Sequence, residues 1–167
     1  GCRVVFIGPC AAKKLEASRR SVRSDVDFVI TFEELRGMFE AKNIDFSQIP
    51  DLPSHYEASA PGVGFAAGGG VAKAVEDVIH RLHPEVEVKT VAAEGLNQCR
   101  QMLRLARTGK YDGYLLEGMA CPGGCVAGAG TVVSADTAAK KLAQHMAQAS
   151  GETAEASKYR DLADQLN

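Results

Sequence analysis

Four short apolar runs predict four β-strands, and stretches with helical periodicity lie between them. The runs cover residues 3–7, 26–30, 86–91 and 114–116, and each is bounded by glycine, proline or polar residues. Because a strand, a helix and a following strand connect with right-handed crossover, this order predicts parallel pairing. We therefore expect an α/β fold, with a mainly parallel sheet of about four strands flanked by helices.

The helices are predicted from apolar spacing and from capping signals. Thr31 and Glu34 have the spacing of a capping box, so a helix should begin after Thr31. A further helix should begin near Gly95, and Cys99 is expected in the core. Cys99 lies on a shared apolar stripe with Leu96, Leu103 and Ala106. The remaining helices are expected over residues 11–18, 71–82, 134–149 and 152–166.

Length and composition indicate an ordinary globular protein. The 167 residues suffice for one domain with a real core, so residues 1–167 are expected to form a single domain, with C-terminal helices from about residue 134. A formal net charge of −2 creates no global field that would attract nucleic acid or an anionic membrane. No apolar segment approaches bilayer length, so we expect neither nucleic acid as a partner nor a membrane span.

Five cysteines, an odd and unevenly spaced set, do not form the pattern of a disulfide framework. They fit a reducing compartment with metal or cluster ligation better. Cys121 and Cys125 lie four residues apart in a glycine-rich loop, where the preceding strand ends and open α/β sheets place their sites. The residues between them allow backbone amides to turn inward, toward thiolates or a negatively charged cluster. The alternative is a tight turn that happens to carry two small buried cysteines.

Cys10 is the third candidate ligand. It follows Gly8-Pro9 and should lie at or near the N-terminus of the helix over residues 11–18, a position that favours the thiolate form. Lys13, one turn further on, would face the same site, and Glu16 can pair with it. For Lys13 and Glu16, the alternative is a solvent-exposed helix face.

The three consecutive glycines Gly68, Gly69 and Gly70 are only weak evidence for a phosphate loop, because no Lys-Ser or Lys-Thr pair follows them. We expect instead that they let the N-terminus of the following helix approach another group closely.

Two blocks of sequence together resemble the iron-only hydrogenases. The block from Gly8 to Glu16 has the Pro-Cys-x-x-Lys-x-x-Glu pattern of the family's second signature, and the block from Glu117 to Gly130 is similar to the third. The resemblance covers nearly the whole chain, and the third signature is highly specific. It implies one lobe of the two-lobed H-cluster domain, the C-terminal lobe.

The resemblance implies that Cys10, Cys121 and Cys125 are thiolate ligands of the four-iron cubane of the H-cluster, and that Cys125 also bridges to the two-iron subcluster. A cubane takes four cysteines, and the family's first signature, a Thr-Ser-Cys-Cys-Pro block that supplies the fourth, is not in this sequence. We therefore expect a lobe cut from a larger polypeptide, inactive alone and without a bound cluster. A structural zinc site built from the three cysteines is the alternative.

The resemblance also implies catalytic roles for Lys13, Met119 and Glu16. Lys13 would donate a hydrogen bond to a cyanide ligand of the two-iron subcluster, because an anionic ligand in a dry pocket favours a cationic donor. Met119 would pack beside that subcluster, and Glu16 would support Lys13 from behind.

Departures from the family pattern keep three functions open. Gly8 replaces the usual Met, and Ala127, Ala129 and Thr131 stand where active enzymes usually have Asn, Gly and Gln. The first hypothesis is a hydrogenase part that catalyses reversible proton reduction, and the second is a hydrogen sensor, which Gly8 favours. The third is a non-catalytic iron–sulfur assembly or prelamin-binding relative. The Gly-Gly pair ending at Gly124 counts against the third, because Ser-Gly is expected there.

Partners and compartment are likewise implied by the resemblance. The expected partners are the N-terminal lobe and the ferredoxin-like or signalling domains of the same polypeptide, and an electron carrier such as ferredoxin. The exposed lobe interface would also allow two copies of the chain to form a homodimer. The expected location is the cytoplasm of an anaerobic bacterium.

Overall fold

The computed structural model describes residues 1–22, 25–50 and 58–149. The helix expected over residues 152–166 lies outside the described residues. Within the described part of the chain, none of the helices has the length and hydropathy needed to cross a bilayer. The strands are β1 (Val5–Ile7), β2 (Phe28–Ile30), β3 (Lys89–Glu94) and β4 (Tyr114–Met119), and the helices are α1 (Ala12–Ser18), α2 (Phe32–Ala41), α3 (Ala60–Gly64), α4 (Gly70–Leu82), α5 (Leu96–Ala106) and α6 (Ala135–Gln148).

The strands pair in parallel, which confirms the expected α/β class of short parallel sheets flanked by helices. β1 pairs with β2, with Val5 opposite Phe28, and β3 pairs with β4, with Lys89 opposite Tyr114. Among the described residues, however, the four strands form two separate pairs rather than one sheet. The hydrophobic pattern identifies the strands, but it does not determine which strand edges meet.

All four strands differ in extent from the prediction. β1 and β2 begin at Val5 and Phe28 instead of residues 3 and 26. β3 covers residues 89–94 instead of 86–91, and β4 continues to Met119 instead of ending at residue 116. Val86 N donates to His83 O at 3.0 Å, so the chain turns around Pro84 before β3 can begin. As a result Glu94, Glu117 and Met119 are strand residues, and the glycine-rich loop begins only at Ala120.

The start of α2 confirms the predicted capping box. Thr31 Oγ1 accepts a hydrogen bond from Glu34 N at 3.2 Å, and Glu34 Oε2 accepts one from Thr31 N at 2.8 Å. Together these bonds satisfy two backbone amides that a helix N-terminus would otherwise leave free. Since Thr31 directly follows β2, the box also fixes the angle at which the chain leaves that strand.

The core lies around β3 and β4. α4 and α5 both contact these strands. Gly118 lies against α5, since a Cβ atom built there would be 3.3 Å from Cys99 Sγ. Glu117 contacts α4 instead, as expected for neighbouring strand residues that point to opposite faces. The buried hydrophobic residues in the described part of the chain are Ala72, Ala74, Ala93 and Met102.

The apolar stripe predicted on α5 is partly wrong. Leu96 and Leu103 are 70% and 57% exposed, and Met102 is buried instead. Cys99 is half-buried, and its Sγ lies 3.5 Å from the carbonyl oxygens of Ala93 and Met119, which confirms its structural position. In the part of the chain that the structure describes, α5 packs mainly on β3 and β4, so one narrow side of the helix is covered.

Candidate functional site

The glycine-rich loop over residues 120–131 lies between the two strand pairs. On one side a Cβ atom at Gly124 would stand 2.5 Å from Gly68 N, and the φ of Gly124 is +83°. On the other side a Cβ atom at Gly128 would stand 2.5 Å from Pro9 O. Only glycine tolerates both this left-handed backbone and these approaches. The glycines therefore allow the loop to fit against the segment that carries Cys10.

Three of the predicted site residues are thiols that the fold brings together. Cys10 lies between β1 and α1, and Cys121 and Cys125 lie in the loop after β4. Burial raises the pKa of Cys125, the charges of Cys10 and Cys121 raise it further, and Lys13 lowers it. Cys125 stands at the surface, yet neighbouring atoms still remove part of its water. Charges act on one another in this way when the loop packs against the segment that carries Cys10, as the approach of Gly128 to Pro9 O shows.

Lys13 and Glu16 form the ion pair expected from their spacing. Lys13 Nζ donates to Glu16 Oε2 at 2.7 Å, and both side chains are partly exposed. This hydrogen bond is the largest cause of a raised pKa for Lys13, and the charges of Glu16, Cys10 and Cys125 also raise it, whereas desolvation opposes it. The ammonium group is therefore held protonated beside the thiols.

The donor set suits an iron–sulfur cluster better than a single metal ion. Within the described ranges, no three His, Cys, Asp or Glu side chains converge closely enough to hold one ion. Each thiolate of a cubane binds a different iron atom, so its ligands stand further apart than those of one zinc ion. Soft thiolates also match iron–sulfur chemistry. The chemistry of the three thiols thus suits an iron–sulfur cofactor.

The two other cysteines, Cys2 and Cys99, lie outside the glycine-rich loop. Cys99 is directed toward the carbonyls of Ala93 and Met119, and Cys2 is exposed before β1.

Three backbone amides of the loop bond to acceptors of the chain itself instead of turning inward as expected. Gly123 N donates to Glu94 Oε2 at 2.8 Å, and Val126 N donates to Ala66 O at 3.1 Å. Gly124 N donates to the carbonyl of Cys121 at 3.0 Å. These amides satisfy acceptors of the chain itself, because the loop is packed against neighbouring segments rather than against open space.

Glu117 is a structural residue that the sequence patterns did not identify. It is only 8% exposed, and its carboxylate accepts hydrogen bonds from Gly69 N at 3.0 Å and Ala72 N at 2.7 Å. It therefore occupies the N-terminus of α4, where amides and the helix dipole favour a negative charge. This confirms that the three glycines allow a close approach, and the group that approaches is a carboxylate of the chain itself. The sequence feature that could have identified Glu117 is the presence of a carboxylate inside an otherwise apolar run.

Glu94 and Met119 lie opposite each other at the ends of β3 and β4. Met119 is half-buried, two residues before Cys121, and its carbonyl accepts from Gly95 N at 2.8 Å. The Glu94 carboxylate fills the space beside Gly68, since a Cβ atom at Gly68 would lie 1.7 Å from Glu94 Oε1. Both strand ends therefore lie against the cysteine loop.

The structure is an α/β fold in which a glycine-rich loop with two cysteines packs against the segment that carries a third cysteine and Lys13. Residues 1–129 match the family described as iron only hydrogenase large subunit, C-terminal domain, and the chain belongs to that family.

Three curated relatives show how broad this family is. The chain is 30% identical over 161 residues to the NADP-reducing hydrogenase subunit HndD of Solidesulfovibrio fructosivorans, covering 76% of this chain and 27% of that protein. It is 28% identical over 162 residues to the periplasmic iron hydrogenase large subunit of Nitratidesulfovibrio vulgaris, covering 77% and 38%. It is 27% identical over 176 residues to cytosolic iron-sulfur assembly component 3 of Bos taurus, covering 83% and 37%.

Solved structures support the same fold. A variant of an FeFe-hydrogenase from Chlamydomonas reinhardtii superposes with a TM-score of 0.64 at 22% identity, covering 97% of this chain and 58% of that one. An FeFe-hydrogenase structure on oxygen inactivation of the H cluster gives a TM-score of 0.64 at 21% identity, with the same coverage of both chains. The chain therefore spans well under half the length of the curated relatives and over half of the solved chains.

Proposed function

We propose that this chain is the C-terminal lobe of a hydrogenase H-cluster domain, in which Cys10, Cys121 and Cys125 are thiolate ligands. When bound, the H-cluster supplies reversible reduction of protons to hydrogen. The observation that carries the proposal is the packing of the cysteine loop against the segment that carries Cys10: Gly130 N donates to Pro9 O at 2.9 Å, and Gly128 lies against the same carbonyl. The effect of Cys10, Cys121 and Lys13 on the pKa of Cys125 agrees with this packing.

The side chains around the thiols have distinct tasks in this proposal. The Lys13 ammonium binds and orients an anionic ligand of the two-iron part, since a charged donor in a partly desolvated site makes a strong hydrogen bond. Glu16 holds Lys13 through the 2.7 Å hydrogen bond and keeps it protonated. Met119, half-buried at the end of β4, supplies an apolar wall beside the same position.

The fourth ligand requires a partner. A cubane takes four cysteines, and the relatives are much longer than this chain. We propose that a further lobe of the same polypeptide supplies the fourth thiolate and that ferredoxin-like modules or carriers supply electrons. The chain alone would be inactive. Its five free cysteines suit a reducing compartment, so we propose the cytoplasm.

The test uses the whole polypeptide that carries this chain, purified without oxygen. Changing Cys10, Cys121 or Cys125 to Ser should remove the cubane iron and abolish hydrogen evolution from a reduced dye. Cys99→Ser is the matched control, because Cys99 lies on α5 and bonds strand carbonyls. Unchanged iron content in the three site variants would contradict the proposal. For the chain alone, about four irons after reconstitution would contradict the need for a fourth ligand.

A second candidate is a non-catalytic or sensory protein that keeps the cluster. The match to cytosolic iron-sulfur assembly component 3, at nearly the same identity as the hydrogenases, favours the non-catalytic form. Gly8 favours the sensory form, because it stands where the catalytic enzymes of the family usually have Met. A full complement of iron without hydrogen evolution in the whole polypeptide would select this candidate.

A further inference from the structure

Glu94 connects the end of β3 to the middle of the cysteine loop. Its Oε2 accepts a 2.8 Å hydrogen bond from Gly123 N, the amide halfway between Cys121 and Cys125. We propose that Glu94 is the positioning residue of this loop, and that its carboxylate fixes where the two loop thiols stand relative to Cys10. This inference rests on the proposed function only for the identity of the cofactor that the thiols bind.

The backbone of Glu94 is well anchored. Glu94 is the last residue of β3 and lies opposite Met119, the last residue of β4. Gly95 N donates to Met119 O at 2.8 Å, which closes the two strand ends together. The backbone of Glu94 and the start of the cysteine loop therefore belong to the same strand pair. From this fixed position, the side chain of Glu94 can set the position of the loop.

The carboxylate itself is confined by a second segment. A Cβ atom at Gly68 would overlap Glu94 Oε1, at 1.7 Å, so glycine at residue 68 leaves the space that the carboxylate uses. The turn at Gly68 is itself held in place, because the next amide, Gly69 N, donates to the buried Glu117. Glu94 thus lies between a fixed turn and the loop.

Besides this hydrogen bond, the packing of Gly124 against the segment at Gly68 holds the first half of the loop. Gly124 N bonds within the loop, to Cys121 O, and the next hydrogen bond outside it is Val126 N to Ala66 O. A hydrogen bond to a charged acceptor is stronger than a neutral one. Removing the carboxylate would therefore release Gly123 and let Cys121 and Cys125 move apart from Cys10.

The experiment measures amide hydrogen exchange at Gly123 in the full chain, reduced and free of metal. Glu94→Ala should raise the exchange rate about tenfold or more. Glu94→Gln, which keeps an acceptor oxygen, should restore most of the protection. Glu87→Gln, a change at an exposed carboxylate before β3, is the control and should leave the rate unchanged.

Gly68→Ala should also reduce the protection of the Gly123 amide against exchange, because the added methyl group displaces the Glu94 carboxylate. The Gly68→Ala, Glu94→Ala double variant should then exchange no faster than either single variant. The yield of a short bifunctional thiol reagent that bridges Cys10 to a loop cysteine should fall in Glu94→Ala and recover in Glu94→Gln.

Three results would each overturn the proposal. They are an unchanged exchange rate of Gly123 in Glu94→Ala, additive effects in the double variant, and a bridging yield that is the same with and without the Glu94 carboxylate. None of these measurements contains iron. A whole polypeptide whose site variants keep their iron would therefore overturn the proposed function while leaving the positioning role of Glu94 intact.

Discussion

The two parallel strand pairs differ in how fully helices cover them. Around β3 and β4, which have α4 on one face and α5 on the other, Ala93 and Met102 are each only 6% exposed. In the β1–β2 pair, Val5, Ile7 and Phe28 keep 46%, 47% and 56% of their surface exposed. We call β1–β2 the open pair and β3–β4 the covered pair. Of the three candidate cysteines, Cys10 follows β1 of the open pair, and Cys121 and Cys125 follow β4 of the covered pair.

This difference indicates how the site is assembled. The covered pair fixes the cysteine loop through Glu94 and the packing of Gly124. The loop then reaches the open pair through backbone contacts, such as Gly130 N to Pro9 O at 2.9 Å. The position of Cys10 therefore depends on the loop, and the exposed apolar strands are a suitable surface for a second lobe or a second copy of the chain.

The same glycine-to-alanine change should have opposite effects in the two regions. Gly124→Ala should destabilise the chain by about 2–5 kcal/mol, because its φ is positive and its Cβ atom would meet the Gly68 backbone. Gly37→Ala, in α2 with open space around it, should stabilise by up to about 1 kcal/mol. Urea unfolding measures both free energies. A neutral Gly124→Ala would show that the loop is not packed as described.

Truncating one large apolar side chain in each region tests the difference in burial. Met102→Ala should cost about 2–5 kcal/mol, because it leaves a cavity between α5 and the strands. Phe28→Ala should cost less than about 1 kcal/mol, because its ring is mostly exposed. Thermal and urea unfolding of the chain give these values. Equal losses would mean that another surface covers β1 and β2, and a concentration-dependent loss would identify a second copy.

The smallest expected effect is a pH dependence in the open region. The hydrogen bond from Lys14, followed by those from Thr31, lowers the pKa of Glu34 to about 2 from the usual 4.5. Since the folded pKa is the lower one, the contribution is complete above the unfolded value and is lost as the pH falls from 4.5 toward about 2. Glu34→Gln should flatten the unfolding free energy across this window.

Lys14→Gln should weaken the same pH dependence from the other partner, since Lys14 is the largest cause of the shift. Acid unfolding curves that are identical for the native chain and both variants would contradict this explanation.

Local patterns in the sequence were sufficient for features formed by near neighbours. The capping box of Thr31 and Glu34 and the pairing of Lys13 with Glu16 each join residues three apart, and the structure contains both. The position of Cys10 just before α1 also follows from the proline at residue 9 and the helix formers after it. These interactions depend on helix geometry alone, so spacing predicts them.

Features that join distant segments could not be predicted in this way. Glu94 and Gly123 are 29 residues apart, and Glu117 and Gly69 are 48 apart, so no periodicity connects them. The separation of the strands into two pairs has the same origin. The exposed Leu96 shows a related limit, since amphipathic spacing predicts a face but not what covers it.

The titration of Cys125 tests the convergence of the site most directly. Its pKa, followed by the pH dependence of alkylation with peptide mass spectrometry, should lie above the ordinary value of 9.0. Cys10→Ser should lower this pKa, Lys13→Gln should raise it further, and Cys99→Ser should leave it unchanged. A Cys125 that titrates at its ordinary value and responds to neither Cys10 nor Lys13 would contradict the account.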